Sequence, residues 1–166
     1  AGLSYIVLLP AYARENMHGG SDTLGYLMSA MGAGALTAAL YMASRKSVLG
    51  LVKIITAAVI VLGVSITLAS FSGSLYFSMA ILFFGGMAMI LSLSAINTML
   101  QTIADEDKRG RVMSFYAMAL MGTGPIGNLI SGSVASAIGL SWTLAMYGVL
   151  TVAAGIWFGI VRRSMR

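Results

Sequence analysis

Cysteine is missing altogether from this 166-residue chain, which excludes disulfides, thiolate metal sites and cysteine nucleophiles. Charge is scarce too. Asp, Glu, Lys and Arg make up 9% of the residues, against about 25% in an ordinary soluble domain. So few charges cannot wet a globular surface, and most of that surface must face lipid. The one histidine, His18, lies beside Gly19-Gly20 with no second ligand in range. It reads as a solvated loop residue before a metal ligand or proton relay, and no metal or other cofactor is expected. What fills the chain instead is apolar: 58% hydrophobic residues and a mean hydropathy of +0.91. The formal net charge of +5 does not point to nucleic acid, because the basic residues sit at the ends of apolar runs and form no stripe.

One stretch, Ile103 to Gly139, organises the rest. A charged knot from Asp105 to Arg111 feeds directly into the run Val112–Val161, which carries no formal charge. A membrane protein places charges this way where a short loop leaves the bilayer and the chain dives back in. Ile54 to Ala104 is likewise free of charge and of histidine. As a single helix it would be about 75 Å long, far beyond a bilayer, so Ser72-Gly73-Ser74 divides it into two spans.

The fold class expected is an all-α membrane protein of six transmembrane segments: 1–13, 23–44, 48–70, 75–103, 112–138 and 142–161. The first is shorter than the roughly 20 residues a span needs, so the chain reads as part of a longer protein. Ser21-Asp22 supplies a helix N-cap for the second segment, with a substrate or proton role as the other reading of Asp22. Gly25, Gly32, Gly34 and several alanines follow and allow close helix approach. Lys53 can snorkel at the start of the third segment. In the fourth, Ser94, Asn97 and Gln101 share one face and either line a pathway or bond neighbouring helices. In the fifth, Gly124, Asn128, Ser131 and Ala135 form a small polar stripe, and Pro125 should kink the helix. Trp142 and Trp157 mark the two ends of the sixth, whose Gly155-Ile-Trp-Phe-Gly159 reads as a packing motif.

Six alternating spans put nine of the ten basic residues on one side, with Arg14 alone on the other. The positive-inside rule assigns that side, and with it the C-terminus, to the cytoplasm. The turns at 14–22, 72–74 and 139–141 then face outward. Segments two and five, each the middle of a triplet, share the small residues. This is the signature of a three-plus-three inverted repeat.

Four pieces carry a family likeness: Gly25-Tyr-Leu-Met-Ser-Ala-Met-Gly-Ala-Gly-Ala35, Arg45-Lys46, Arg109-Gly-Arg-Val-Met-Ser-Phe-Tyr116, and Gly124-Pro-Ile-Gly127 followed by Gly132. Through them the chain resembles the C-terminal half of a major facilitator superfamily transporter. It is most similar to the bacterial branch of enterobactin and drug exporters. The loop at Ser44-Arg45-Lys46 departs from the family pattern by lacking an aspartate.

The resemblance implies secondary active efflux of an amphipathic small molecule by alternating access in the bacterial inner membrane. The partner it implies is an N-terminal six-helix half of the same transporter. Gly32, Gly34, Gly124, Pro125 and Gly127 are then candidates for the contact between halves, and Ser94, Asn97, Gln101, Asn128 and Ser131 for the cavity wall. Asp105, Asp107, Arg109 and Arg111 either cap and balance the next helix or form a cytoplasmic latch. From Thr23 onward no Asp, Glu or His lies inside an apolar span. If a proton or ion gradient drives transport, the coupling residue is expected in the other half. The thirteen methionines suit a deformable cavity wall or plain packing. Two other classes stay in view. A six-helix interaction module would carry nothing. An intramembrane enzyme would need paired catalytic groups, and the spans hold only isolated serines, so no enzymatic activity is expected.

Overall fold

The computed structural model describes residues 5–17, 19–45 and 47–164, the last three by backbone alone. His18, Lys46, Arg166 and the side chains of Arg162 and Arg163 therefore lie outside the description. The described residues form six helices and no strand: α1 (Tyr5–Glu15), α2 (Ser21–Ser44), α3 (Leu51–Ser70), α4 (Leu75–Ile103), α5 (Glu106–Ile138) and α6 (Leu140–Ser164).

The borders differ from the sequence reading in three instructive places. Asp22 is no cap residue: α2 begins at Ser21 after Gly20, which leaves Asp22 in the first turn, where its charge complements the helix dipole. The charged knot is helical from Glu106 onward, because the acidic residues at 106 and 107 favour a helix start. Between α5 and α6 only Gly139 remains, at φ +87°, a conformation that glycine alone adopts cheaply. Helix α5 continues unbroken through Pro125.

Four helices, α2, α3, α4 and the stretch Leu140–Val161 of α6, are long and apolar enough to cross a membrane. The described part of α1 has 11 residues, which is short of a span. Helix α5 is diluted by its charged start and its Gly, Ser and Thr content. Its 33 residues make a rod about 50 Å long, so the charged turns project beyond a hydrocarbon core of about 30 Å.

Packing is organised by two backbone crossings. On α2 and α4, which run parallel, Gly34 and Gly86 each bring their helix against the other's main chain. A Cβ on Gly34 would lie 1.9 Å from the Phe83 carbonyl oxygen, and one on Gly86 2.1 Å from that of Met31. On α3 and α6, which run antiparallel, Gly63 and Gly148 do the same: a Cβ on Gly63 would sit 2.6 Å from the Gly148 oxygen. Gly155 and Gly159 continue that seam against Val59, Ile60 and Thr56, so the sixth helix's GxxxG packs within the chain. Without a hydrophobic drive between helices in lipid, close backbone approach and dispersion hold such seams. Leu8, Leu9, Tyr12, Ile66, Leu82 and Leu144 then fill the centre between α1, α3, α4 and α6.

This arrangement gathers the turns as their charge suggested. The starts of α3 and α5 and the ends of α2, α4 and α6 share one end, where Arg45, Lys53, Lys108, Arg109 and Arg111 stand. The turns after α1, α3 and α5 share the other. There Asn16 joins them directly, donating to the Ser70 carbonyl (3.2 Å) and to Ser141 Oγ (3.1 Å). Trp142 meets Phe71 edge-to-face at the same end, with ring centroids 5.9 Å apart.

Candidate functional site

Helices α2 and α5 are the least buried of the long helices. Only Leu27, Gly34 and Ala38 of α2 are buried, all on the α4 side, and only Ser131 of α5. The opposite face of α2 carries Gly25, Ser29, Gly32, Leu36 and Leu40, all exposed. The outer face of α5 carries Phe115, Met118, Ile126 and Leu129, again exposed. Two non-adjacent helices, the middle members of the two triplets, thus leave apolar faces uncovered.

The candidate half–half glycines split between these faces. Gly32 lies on the uncovered side of α2, with nothing within 4 Å of an added Cβ. Gly34 does not: it is spent on the crossing with α4, because the two glycines sit on opposite sides of one helix. On α5, Pro125 is exposed, whereas Gly124 and Gly127 are half-buried on the bundle side. An added Cβ on Gly124 would still meet nothing.

The candidate cavity residues also separate. Ser94, Asn97 and Asn128 are half-buried and Gln101 is exposed. Gln101 Nε2 donates to Asn97 Oδ1 one turn back, which links the two amides along α4 and leaves each with further hydrogen-bonding capacity. Asn97 and Gln101 share the helical face of Gly86, which turns them toward α2. Ser131, by contrast, is wholly buried, and its hydroxyl donates to the Gly127 carbonyl (2.6 Å). Its polarity is spent on its own helix, so in this structure it lines no open cavity. Two apolar hollows of about 380 and 350 Å³ lie elsewhere, on either side of α3.

The charged knot is sparsely paired. Asp105 holds the N-cap position of α5, but its carboxylate contacts Lys108 Nζ at 3.2 Å instead of capping a backbone amide. Both side chains are largely exposed. No second ion pair joins Asp107, Arg109 or Arg111 among the described residues. A latch built from this knot alone would be weak, since one exposed pair contributes about 0–1 kcal/mol. Lys108→Ala is accordingly expected to change stability by less than about 1 kcal/mol, read from thermal midpoints in detergent.

A polar cluster that no sequence spacing reveals closes the opposite end. Tyr12 Oη lies 2.9 Å from both the Ser72 carbonyl and Ser78 Oγ, Ser78 Oγ lies 2.8 Å from Ser72 Oγ, and Ser72 Oγ lies 3.3 Å from the Ser74 carbonyl. Three hydroxyl protons serve these four contacts. The partners stand more than 50 residues apart in the chain, so periodicity cannot find them. The nearest signals were the Ser-Gly-Ser turn and the tyrosine just ahead of a polar loop. Among the described residues no group of His, Asp or Glu could hold a metal ion.

A bundle of long apolar helices crossing at glycines, with all its described basic side chains but Arg14 at one end, has the form of a multi-pass membrane protein. The family model for transmembrane secretion effectors, a branch of the major facilitator transporters, matches residues 1–164. The chain belongs to that family. No curated protein and no solved structure matches it. Major facilitator membership supports a membrane transporter in contact with the lipid bilayer over a non-transporting module. It favours transport over enzymatic chemistry as well.

Proposed function

We propose that this chain is the C-terminal six-helix half of a bacterial inner-membrane exporter that moves an amphipathic small molecule, such as a drug or siderophore, by alternating access. The observation that carries the reading is the pair of uncovered apolar faces on α2 and α5. An N-terminal half seated on both would bury them and enclose a central space. Asn97, Gln101 and Asn128 would then offer hydrogen bonds to a substrate along that space. Gly32 would serve the sliding contact, since it presents bare backbone on an uncovered face. The basic end would face the cytoplasm, as the positive-inside rule requires. The described spans of α2 to α6 hold no Asp or Glu beyond their charged ends. Coupling to a proton or ion gradient would therefore rest on a carboxylate of the other half.

The test is energised uptake of an amphipathic fluorescent drug into everted membrane vesicles containing the full-length transporter. We expect accumulation that a protonophore abolishes. Gly32→Leu should leave the amount of monodisperse protein unchanged while lowering transport at least ten-fold, because a bulky side chain would block the approach of the other half. Vesicles that accumulate nothing across a panel of amphipathic compounds would sink the efflux reading. Full transport by Gly32→Leu would remove α2 from the contact between halves.

A further inference from the structure

The basic end carries a feature that transport does not use. Arg45 follows the last residue of α2 and is held in place by its own loop. Its Nη2 donates to the carbonyls of Leu49 (2.7 Å) and Ser47 (3.3 Å), and its Nη1 donates to Tyr41 Oη (3.2 Å). The guanidinium also lies 5.9 Å from the centre of the Tyr41 ring. Its Nε is buried with no hydrogen-bond partner. No carboxylate stands within ion-pair distance of it among the described residues. This is a half-buried positive charge held in place with no carboxylate beside it among the described residues.

Tyr41 ties that charge to an apolar groove. The same residue lines the hollow of about 350 Å³ between α2, α3 and α4, together with Ile54, Ala57, Val61, Met87 and Leu91. Tyr41 and Ile54 each lie within one turn of the helix ends at Ser44 and Leu51, so the groove starts at the basic end and runs inward. A cation at the level of the headgroups above an apolar channel at the level of the acyl chains is the complement of one molecule, an anionic phospholipid.

We infer that the groove between α2, α3 and α4 is a binding site for an anionic phospholipid, with the phosphate on Arg45 and an acyl chain along Met87 and Leu91. The backbone carbonyls and Tyr41 orient the guanidinium, so a phosphate there meets a charge that is already placed. Lys53 is exposed in the first turn of α3, at the same end of the bundle. The second hollow, between α3, α4 and α6, is lined by Ile55, Val59, Met99 and Phe158, with no arginine among the described lining residues, and serves as the comparison.

The test is native mass spectrometry of the delipidated protein in detergent, titrated with phosphatidylglycerol and with phosphatidylethanolamine of the same acyl chains. We expect phosphatidylglycerol to be held about five-fold more tightly, the size of effect one basic residue has near an anionic headgroup. Glycerol phosphate, which has no acyl chain, should not bind. Arg45→Gln should erase the preference, and Arg45→Lys should keep it. Ala57→Phe, which fills the groove, should weaken both lipids, whereas Ala154→Phe in the other hollow should change neither. Equal binding of the two lipids by the unaltered protein would overturn the assignment. So would a preference that survives Arg45→Gln or one that is lost with Ala154→Phe. Should Arg45→Gln fail to fold, the two phenylalanine variants still decide between the grooves.

Discussion

Gly34→Ala is expected to destabilise the protein by about 3 kcal/mol or more, while Gly32→Ala two positions away leaves stability within about 1 kcal/mol. The two substitutions add the same methyl group to the same helix, so the contrast isolates what each glycine faces. At Gly34 the new carbon would sit 1.9 Å from the Phe83 carbonyl oxygen and 3.0 Å from the Met87 nitrogen. Both obstacles are backbone in the middle of α4, which cannot rotate aside as a side-chain tip would. The seam must open over its whole length, and the matching approach of Gly86 to the Met31 carbonyl opens with it. At Gly32 nothing lies within 4 Å. The alanine there removes backbone freedom from the unfolded chain and loses no contact. Thermal unfolding in detergent, followed by retention of a monodisperse peak, reads both. Equal midpoints for the two variants would mean that α2 and α4 do not cross at Gly34.

How much of this was legible in the sequence follows from what each feature depends on. Helix number and the common end of most basic residues depend on local hydropathy and on where charges interrupt it. Arg45, Lys53, Lys108, Arg109 and Arg111 fell into place from their positions in the chain alone. The length of α4, Leu75–Ile103, followed from its Ser-Gly-Ser start and charged end. Small residues announced close helix approach but could not say which helix was approached. Gly32 and Gly34 look alike in sequence, yet one faces α4 and the other faces away, because the register of packing is a property of two helices. The same limit hid Ser131, whose hydroxyl turns back to its own helix. The Tyr12 cluster was illegible for a different reason. Its partners are brought together only after α1, α3 and α4 have packed, and no periodicity within one segment encodes that.

Removing the Tyr12 ring should have the second large effect: Tyr12→Ala is expected to cost about 4 kcal/mol, and Tyr12→Phe about 2 kcal/mol. The residue is 2% exposed, so alanine leaves a cavity the size of an aromatic ring in the core shared with Leu9, Ile66, Leu82 and Leu144. Phenylalanine keeps that packing and deletes only the hydroxyl. The loss then falls on the Ser72 carbonyl and Ser78 Oγ, groups of two buried residues. Ser78→Ala removes the middle of the same chain of hydroxyls, so its cost and that of Tyr12→Phe should overlap. The double variant is expected to be destabilised by less than the sum of the single ones, since either change alone breaks the chain. Additive costs in that cycle would mean that the two hydroxyls act independently. The cluster would then hold α1 to the turn between α3 and α4 by separate bonds and not by one cooperative chain. Asn16→Ala gives the contrast, because its amide bonds the Ser70 carbonyl and Ser141 Oγ outside this chain of hydroxyls, and its cost should add to that of Tyr12→Phe.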